Sequence, residues 1–192
     1  GTEREDLPSI TRYFNTQFKK LGVEVKLGQK VDKATVEALK PDVVIVATGG
    51  SHVIPAIPGI NDRKVKTSEN LHHQLKGYLK YFSPQTLSRL TKFYLPVGKK
   101  AVIIGGNIQG CQTGEFLVKR GRKVAITESG KEMGEGLLYY LIRPGLLDWL
   151  DKKDVPLLAG VKYEKIDDAG LTITTTDGKK QTLPADTILT AI

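Results

Sequence analysis

The sequence predicts an α/β protein, a parallel sheet with flanking helices and a β-meander, and three stretches carry that prediction. PDVVIVATGG holds a continuous apolar run, Val43 to Ala47, between Pro41 and Gly49-Gly50; such a run suits a strand covered on both faces in a parallel sheet. The stretch VIIGGNIQGCQTGEFLVKRGRKVAITE, Val102 to Glu128, passes from a strand (Ala101–Ile104) through a glycine-rich turn. It continues into a helix over about 108–120 and a second strand, Lys123–Thr127, the opening of a β-α-β unit. The tail VKYEKIDDAGLTITTTDGKKQTLPADTILTAI alternates apolar and polar residues about Asp177-Gly178, a tight-hairpin dipeptide.

The other elements follow in order. SITRYFNTQFKKL places Ile10, Tyr13, Phe14, Phe18 and Leu21 at helical spacing, with Pro8 before and Gly22 after. Val23, Val25 and Leu27 alternate as a strand does, and a short polar stretch leads to the 43–47 run. PAIPGI, 55–60, is a proline-bearing connector and a domain boundary. Two helices are expected next, one opened by Ser68 with Leu71, Leu75, Tyr78, Leu79 and Phe82 inward. The other starts at Ser83-Pro84 with Leu87, Leu90 and Tyr94 inward and Pro96 as its stop. LLYYLIRPGLLDWLDKKDV reads as a helix interrupted or restarted at Pro144-Gly145. Thr187–Ala191 is a last short strand.

Composition narrows the function. A chain of 192 residues, 40% hydrophobic and 26% charged, is ordinary globular material rather than disordered polymer. It holds no run of about 18 apolar residues, so no membrane span is expected. The start, GTEREDLP, has neither a basic nor an apolar leader, which leads to the expectation of a cytoplasmic piece of a larger protein. Cys111 is the only cysteine; it can form neither an internal redox pair nor a metal cluster. The net charge of +8 is concentrated in residues 61–100, where nine Lys/Arg face Asp62 and Glu69 with aromatic residues between. Phosphate-backbone contact and a solvated or partner-facing helix pair both accommodate that pattern. No nucleic-acid fold signature accompanies it, and no nucleic-acid partner is expected.

The quoted stretch has the chemistry of a dinucleotide site. A diphosphate is met by backbone N–H groups at a helix N-terminus. Gly105 supplies the sharp turn, Gly110 lets the helix approach the strand, and Gly114 extends that approach one turn on. Glu128 stands 23 residues after Gly105, at the end of the second strand. A carboxylate there accepts from a ribose 2′-OH and repels a 2′-phosphate, so it selects NAD over NADP. Asn107 replaces the middle glycine of G-x-G-x-x-G. It tolerates left-handed backbone angles better than other non-glycine residues; its amide can donate to a phosphate, or its bulk can push the ligand outward. Cys111 reads either as a small packing residue or as a thiolate at a helix start. His52, His72 and His73 lack the spacing of a metal site.

PDVVIVATGG with PAIPGI, the turn-helix GGNIQGCQTGEF, and ADTILTAI together resemble the C-terminal flavin and pyridine-nucleotide region of multidomain NADH:flavin oxidoreductases. These enzymes are similar to 2-enoate reductase, 2,4-dienoyl-CoA reductase and trimethylamine dehydrogenase, and the resemblance spans essentially the whole chain. It implies a Rossmann-like NAD(P)H domain over 98–192, a helical connector over 61–97, and part of a truncated FAD-type Rossmann domain over 1–60. It further implies FAD in the intact parent, and FMN and an iron–sulfur cluster in regions outside this chain. The remainder of that flavoenzyme and a small-molecule nucleotide are the implied partners. Gln112 stands where similar sequences often carry Glu, and a third consecutive glycine is replaced by Asn107. The expected site is Gly105, Gly106, Asn107, Ile108 and Gly110 for the diphosphate, Glu128 for the ribose, and Gln112, Thr190 and Ala191 toward the nicotinamide. No residue is expected to act as general acid or base. NADH would be positioned for hydride transfer to FAD, feeding reduction of an enoate-type substrate elsewhere in the parent. The alternative is an ADP-type nucleotide-binding module or a structural docking module with a degenerate NAD site.

Overall fold

A computed structural model describes residues 7–50, 54–67, 70–71, 86, 91, 94–136 and 143–192. The chain divides into two compact units, Gly1–Ser51 and His52–Ile192.

In the first unit, α1 runs Leu7–Lys20, as its apolar spacing predicts, and the Phe14 and Phe18 rings stack along it with centroids 6.1 Å apart. A second helix, α2 (Lys33–Leu39), lies in the stretch expected to be merely polar. Its start is local chemistry: the Asp32 carboxylate accepts from the Thr35 amide at 2.9 Å and the Thr35 hydroxyl at 2.7 Å. Neither the 23–27 alternation nor the Val43–Ala47 run forms a strand, and Val43, Val44, Ile45 and Val46 are exposed. The expectation of a two-face-covered strand is corrected here. Apolar residues make a strand only when a neighbouring strand takes up the backbone N–H and C=O groups, and nothing described pairs with 43–47.

The second unit is built on a parallel sheet ordered β1-β8-β2-β3-β4. Its strands are β1 (Val65–Thr67), β2 (Lys100–Ile104), β3 (Lys123–Thr127), β4 (Leu157–Leu158) and β8 (Thr187–Thr190). The central strand β2 pairs with β3 through Ala101–Val124 to Ile104–Thr127 and with β8 through Ala101–Thr187 to Ile104–Thr190. Helix α3 (Ile108–Val118) connects β2 to β3, and α4 (Arg143–Asp151) contains the Pro144-Gly145 pair at which the sequence predicts an interrupted or restarted helix. The meander β5 (Lys162–Asp167), β6 (Gly170–Thr174) and β7 (Lys180–Pro184) is antiparallel, and Asp177-Gly178 lies in the connection from β6 to β7.

Alternation along β2 sets the layers. Ala101 and Ile103 enter a core with Cys111, Leu117, Ile126, Leu150 and Leu189, on the side of α3 and α4. Val102 and Ile104 enter a second core with Ile57, Ile166, Leu171, Ile173 and Ile188, on the side of the meander. Side chains of successive strand residues point to opposite faces, so one apolar run serves both cores.

Two differences from the sequence-based division follow. Ile57, assigned to the first segment, is 5% exposed within the second unit's core, and its amide bonds to Pro55 O at 2.9 Å in a local turn. Val65–Thr67, assigned to a helical connector, is the edge strand paired with β8. Within that connector, Leu71 is buried as expected but Tyr94 is exposed rather than inward. Ser68, Leu75, Tyr78, Leu79, Phe82, Ser83, Pro84, Leu87, Leu90 and the three histidines lie outside the described residues, as do Lys76, Lys80, Arg89 and Lys92 of the basic segment. Lys64 and Lys66 of that segment donate to the carbonyls of Asp167, Asp168 and Pro96. Among the described residues no helix is long and apolar enough to cross a membrane.

Candidate functional site

The site forms where β2 ends against α3. Gly105 takes φ 107°, a left-handed conformation that side chains rarely adopt, and its amide donates to Thr127 O at 2.9 Å, tying the turn to β3. A Cβ on Gly110 would lie 1.7 Å from the Gly105 carbonyl oxygen, and one on Gly114 would lie 2.6 Å from Ile126 Cδ1. Helix and strand approach each other at these two positions as the glycine spacing predicts.

Asn107 is the helix cap. Its backbone is extended, φ −71° and ψ −172°, not left-handed as an asparagine in a glycine position suggests. Its Oδ1 accepts from the amides of Gln109 at 2.9 Å and Gly110 at 3.1 Å. The reason is the unmet need of a helix start, whose first amides lack intrahelical partners.

Glu128 follows β3 and turns back over the same loop. Its Oε2 accepts from the Gly106 amide at 2.7 Å, while Oε1 accepts from the Gly130 amide at 2.7 Å and the Ser129 hydroxyl at 3.3 Å. A carboxylate offers about four acceptor positions, so room for a further donor remains. The segment 131–136 lies across the turn. The Gly134 amide donates to Gly106 O at 2.6 Å, and the Ile108 amide donates to Glu135 O at 2.9 Å. Buried Met133 packs where a Cβ on Gly106 would sit, and the Arg143 guanidinium donates to Met133 O at 2.9 Å.

The expected residues are thus brought together at the carboxyl edge of the sheet with one distinction. Gly105, Gly106, Asn107, Ile108, Gly110 and Glu128 form one connected cluster. Thr190 and Ala191 close the neighbouring strand: the Ala191 amide donates to Ile104 O at 2.8 Å, and both residues are buried. Gln112 is half-buried in the second turn of α3.

Cys111 is a packing residue. It is fully buried, its Sγ donates to Gly106 O at 3.3 Å, and burial pushes the thiol up to about 11. The thiolate reading fails because the sulfur faces the sheet, where a charge is poorly solvated.

Tyr163, on β5, was not singled out in the sequence. Its hydroxyl is buried, with no hydrogen bond of good geometry among the described residues. Burial pushes it up to about 12, outweighing the Thr127 side chain and Gly105 amide, which lie near enough to pull the other way. Alternation marks Tyr163 as a strand residue but carries no information about which part of the parallel sheet the meander covers. Glu135 and Met133 were missed for the same reason: their role is set by how a loop folds back.

Comparison with known proteins gives this geometry its setting. The chain is 29% identical over 189 residues to bilirubin reductase of Mediterraneibacter gnavus, covering 98% of this chain and 26% of that protein. It is 26% identical over 191 residues to cinnamate reductase of Clostridium sporogenes, covering 98% and 25%. The solved structure of 2-naphthoyl-CoA reductase superposes with a TM-score of 0.67 at 28% identity, covering 97% of this chain and 25% of that one. The chain therefore spans about a quarter of the length of these relatives. The family model of pyridine nucleotide-disulphide oxidoreductases matches residues 9–192. The chain belongs to that family, flavoprotein oxidoreductases that bind FAD and NAD(P)H on Rossmann-type domains.

Proposed function

We propose that residues 98–192 bind NADH and hold it for hydride transfer to FAD carried by the rest of a larger flavoenzyme, whose electrons reduce an enoate-type substrate elsewhere. The observation that carries this reading is the position of Glu128. Its carboxylate is fixed beside the glycine turn by the Gly106 amide at 2.7 Å, where an adenosine ribose meets the turn that receives its diphosphate. NADH supplies the hydride at its nicotinamide when bound; the chain's own contribution is binding and orientation. Gly105, Gly106, Asn107, Ile108 and Gly110 present the turn to the diphosphate. Glu128 accepts from the ribose hydroxyls and disfavours a 2′-phosphate, so NADH is preferred to NADPH. Gln112, Thr190 and Ala191 lie toward the nicotinamide. No side chain acts as general acid or base, because moving a hydride calls for none. The names of the bilirubin, cinnamate and naphthoyl-CoA reductases support the reductive direction. Among the described residues 7–50 no strand-turn-helix cradle of this kind occurs, so no step involving FAD is assigned to them. With one cysteine in the sequence, and that one buried, no disulphide chemistry is assigned either.

A second reading, an ADP-type or docking module without hydride exchange, is favoured by one observation: the amides of Ile108, Gln109 and Gly110 already have acceptors within the chain. Calorimetric titration with NADH, NADPH and ADP separates the two. Tighter binding of NADH than of both others supports the first; equal affinity for NADH and ADP supports the second; no binding of NADH at all removes the first.

A further inference from the structure

Around the start of α3, five backbone amides already have acceptors within the chain. The Gly105 and Gly106 amides go to Thr127 O and Glu128 Oε2, the Ile108 amide to Glu135 O, and the Gln109 and Gly110 amides to Asn107 Oδ1. These acceptors differ in how easily they leave. Thr127 O belongs to a buried strand and Glu135 O to a segment pinned at Gly106 and Arg143, so freeing their donors means moving backbone. Asn107 Oδ1 is at the end of a short side chain that is only half-buried, beside exposed Ile108 and Gln109. Rotation about one side-chain bond releases two amides together.

We propose that Asn107 sets the nucleotide affinity of this turn: its carboxamide oxygen occupies the Gln109 and Gly110 amides in the free protein, and a nucleoside diphosphate binds by displacing it. The inference rests on reading the turn as a diphosphate site and adds to it a competitor built into the chain. A charged phosphate oxygen makes a stronger hydrogen bond to an amide than a neutral carboxamide does, so the exchange runs forward. It runs with a handicap equal to the lost cap, which a glycine at this position would not impose. A separate feature of the same turn fits an arrangement that is not fully satisfied when closed: the Tyr163 hydroxyl, close to Thr127, Glu128 and Gly105, is buried with no hydrogen bond of good geometry among the described residues.

The test uses the full chain and three proteins: wild type, Asn107→Gly and Asn107→Asp. Exchanging an asparagine cap for glycine shifts an equilibrium by only about twofold. NADH titration should therefore give about twofold tighter binding for Asn107→Gly, and weaker binding than wild type for Asn107→Asp, which keeps the cap and adds a charge that repels the diphosphate. Amide hydrogen exchange at Gln109 and Gly110 should be slow in the free wild type and fast in Asn107→Gly. On adding NADH to wild type, the resonances of both amides should shift. Should Asn107→Gly prove unstable, that wild-type shift decides alone, and unmoved resonances in a protein that binds NADH overturn the inference. It is also overturned if wild type binds NADH and Asn107→Gly binds no tighter. If neither protein binds NADH, the diphosphate reading itself fails along with it.

Discussion

Gly110 sits so close beneath Gly105 that a Cβ on it would fall 1.7 Å from the Gly105 carbonyl oxygen and 2.9 Å from its carbonyl carbon. The contact is backbone to backbone, with no flexible side chain to move aside. It seats the first turn of α3 on the end of β2, and thereby the whole glycine turn.

Gly110→Ala is accordingly expected to cost about 3 kcal/mol or more, the upper part of the range for overpacking a tight site. Chemical denaturation should show a lowered midpoint with an unchanged slope. A change below about 0.5 kcal/mol, typical of an unconstrained surface position, would mean that the helix can back away from the strand.

Glu128 holds the turn and, on the proposed reading, the ribose. Glu128→Ala leaves the Gly106 and Gly130 amides without their acceptor, which costs about 1–3 kcal/mol of stability where those groups stay shielded from water. Glu128→Gln keeps an acceptor oxygen and loses the charge. NADH affinity should fall by about 1 kcal/mol, the difference between a hydrogen bond to a charged acceptor and one to a neutral acceptor, while the preference over NADPH narrows. Calorimetry on both variants measures this, and retained discrimination in Glu128→Gln would assign selectivity to another residue.

Alkaline pH should weaken the fold through two buried groups. Burial raises Cys111 from 9.0 to about 11 and Tyr163 from 10.0 to about 12. Both are neutral when protonated, so above their ordinary values the unfolded chain releases protons that the folded one retains. Their contribution is complete below pH 9 and is lost as pH rises toward 11 and then 12. Tm followed from pH 8 to 12 should fall in that window, and Cys111→Ala should flatten its lower part. A thiol reagent near neutral pH should leave Cys111 unmodified until the chain is unfolded.

Leu150, the buried residue of α4, is fully enclosed in the core on the α3 side of the sheet. Leu150→Ala should cost about 2–5 kcal/mol, the range for truncating a buried leucine. A much smaller loss on thermal unfolding would show that α4 is not part of the cooperative core.

The strand–turn–helix–strand from Lys100 to Thr127 was legible almost residue by residue, because each of its signals is local: apolar runs for β2 and β3, a glycine for the turn, and glycine spacing for the approach of α3 to the sheet. The Asp177-Gly178 connection was legible for the same reason. The Asn107 cap was not, since asparagine in a glycine position suggested left-handed backbone. The 43–47 run was misread, since its apolar residues describe a strand in search of a partner and pairing is not a property of one segment. Val65–Thr67 shows the converse. Its three residues carry no strand pattern of note, and Ile188 to Thr190 of β8, more than a hundred residues later, make them a strand.

By itself, then, the sequence determined that a helix would start at residue 108 on a glycine turn with an acid at the end of the next strand, because helical caps and turns depend on neighbours a few residues away. Tertiary structure alone decided that the Glu128 carboxylate grips Gly106, that Glu135 O reaches Ile108, and that the Tyr163 hydroxyl is buried against the turn. Those contacts join segments whose separation is set by the packing of β3, β5 and the 131–136 loop, and a hydrogen-bond partner brought in by packing leaves no periodic mark in the chain.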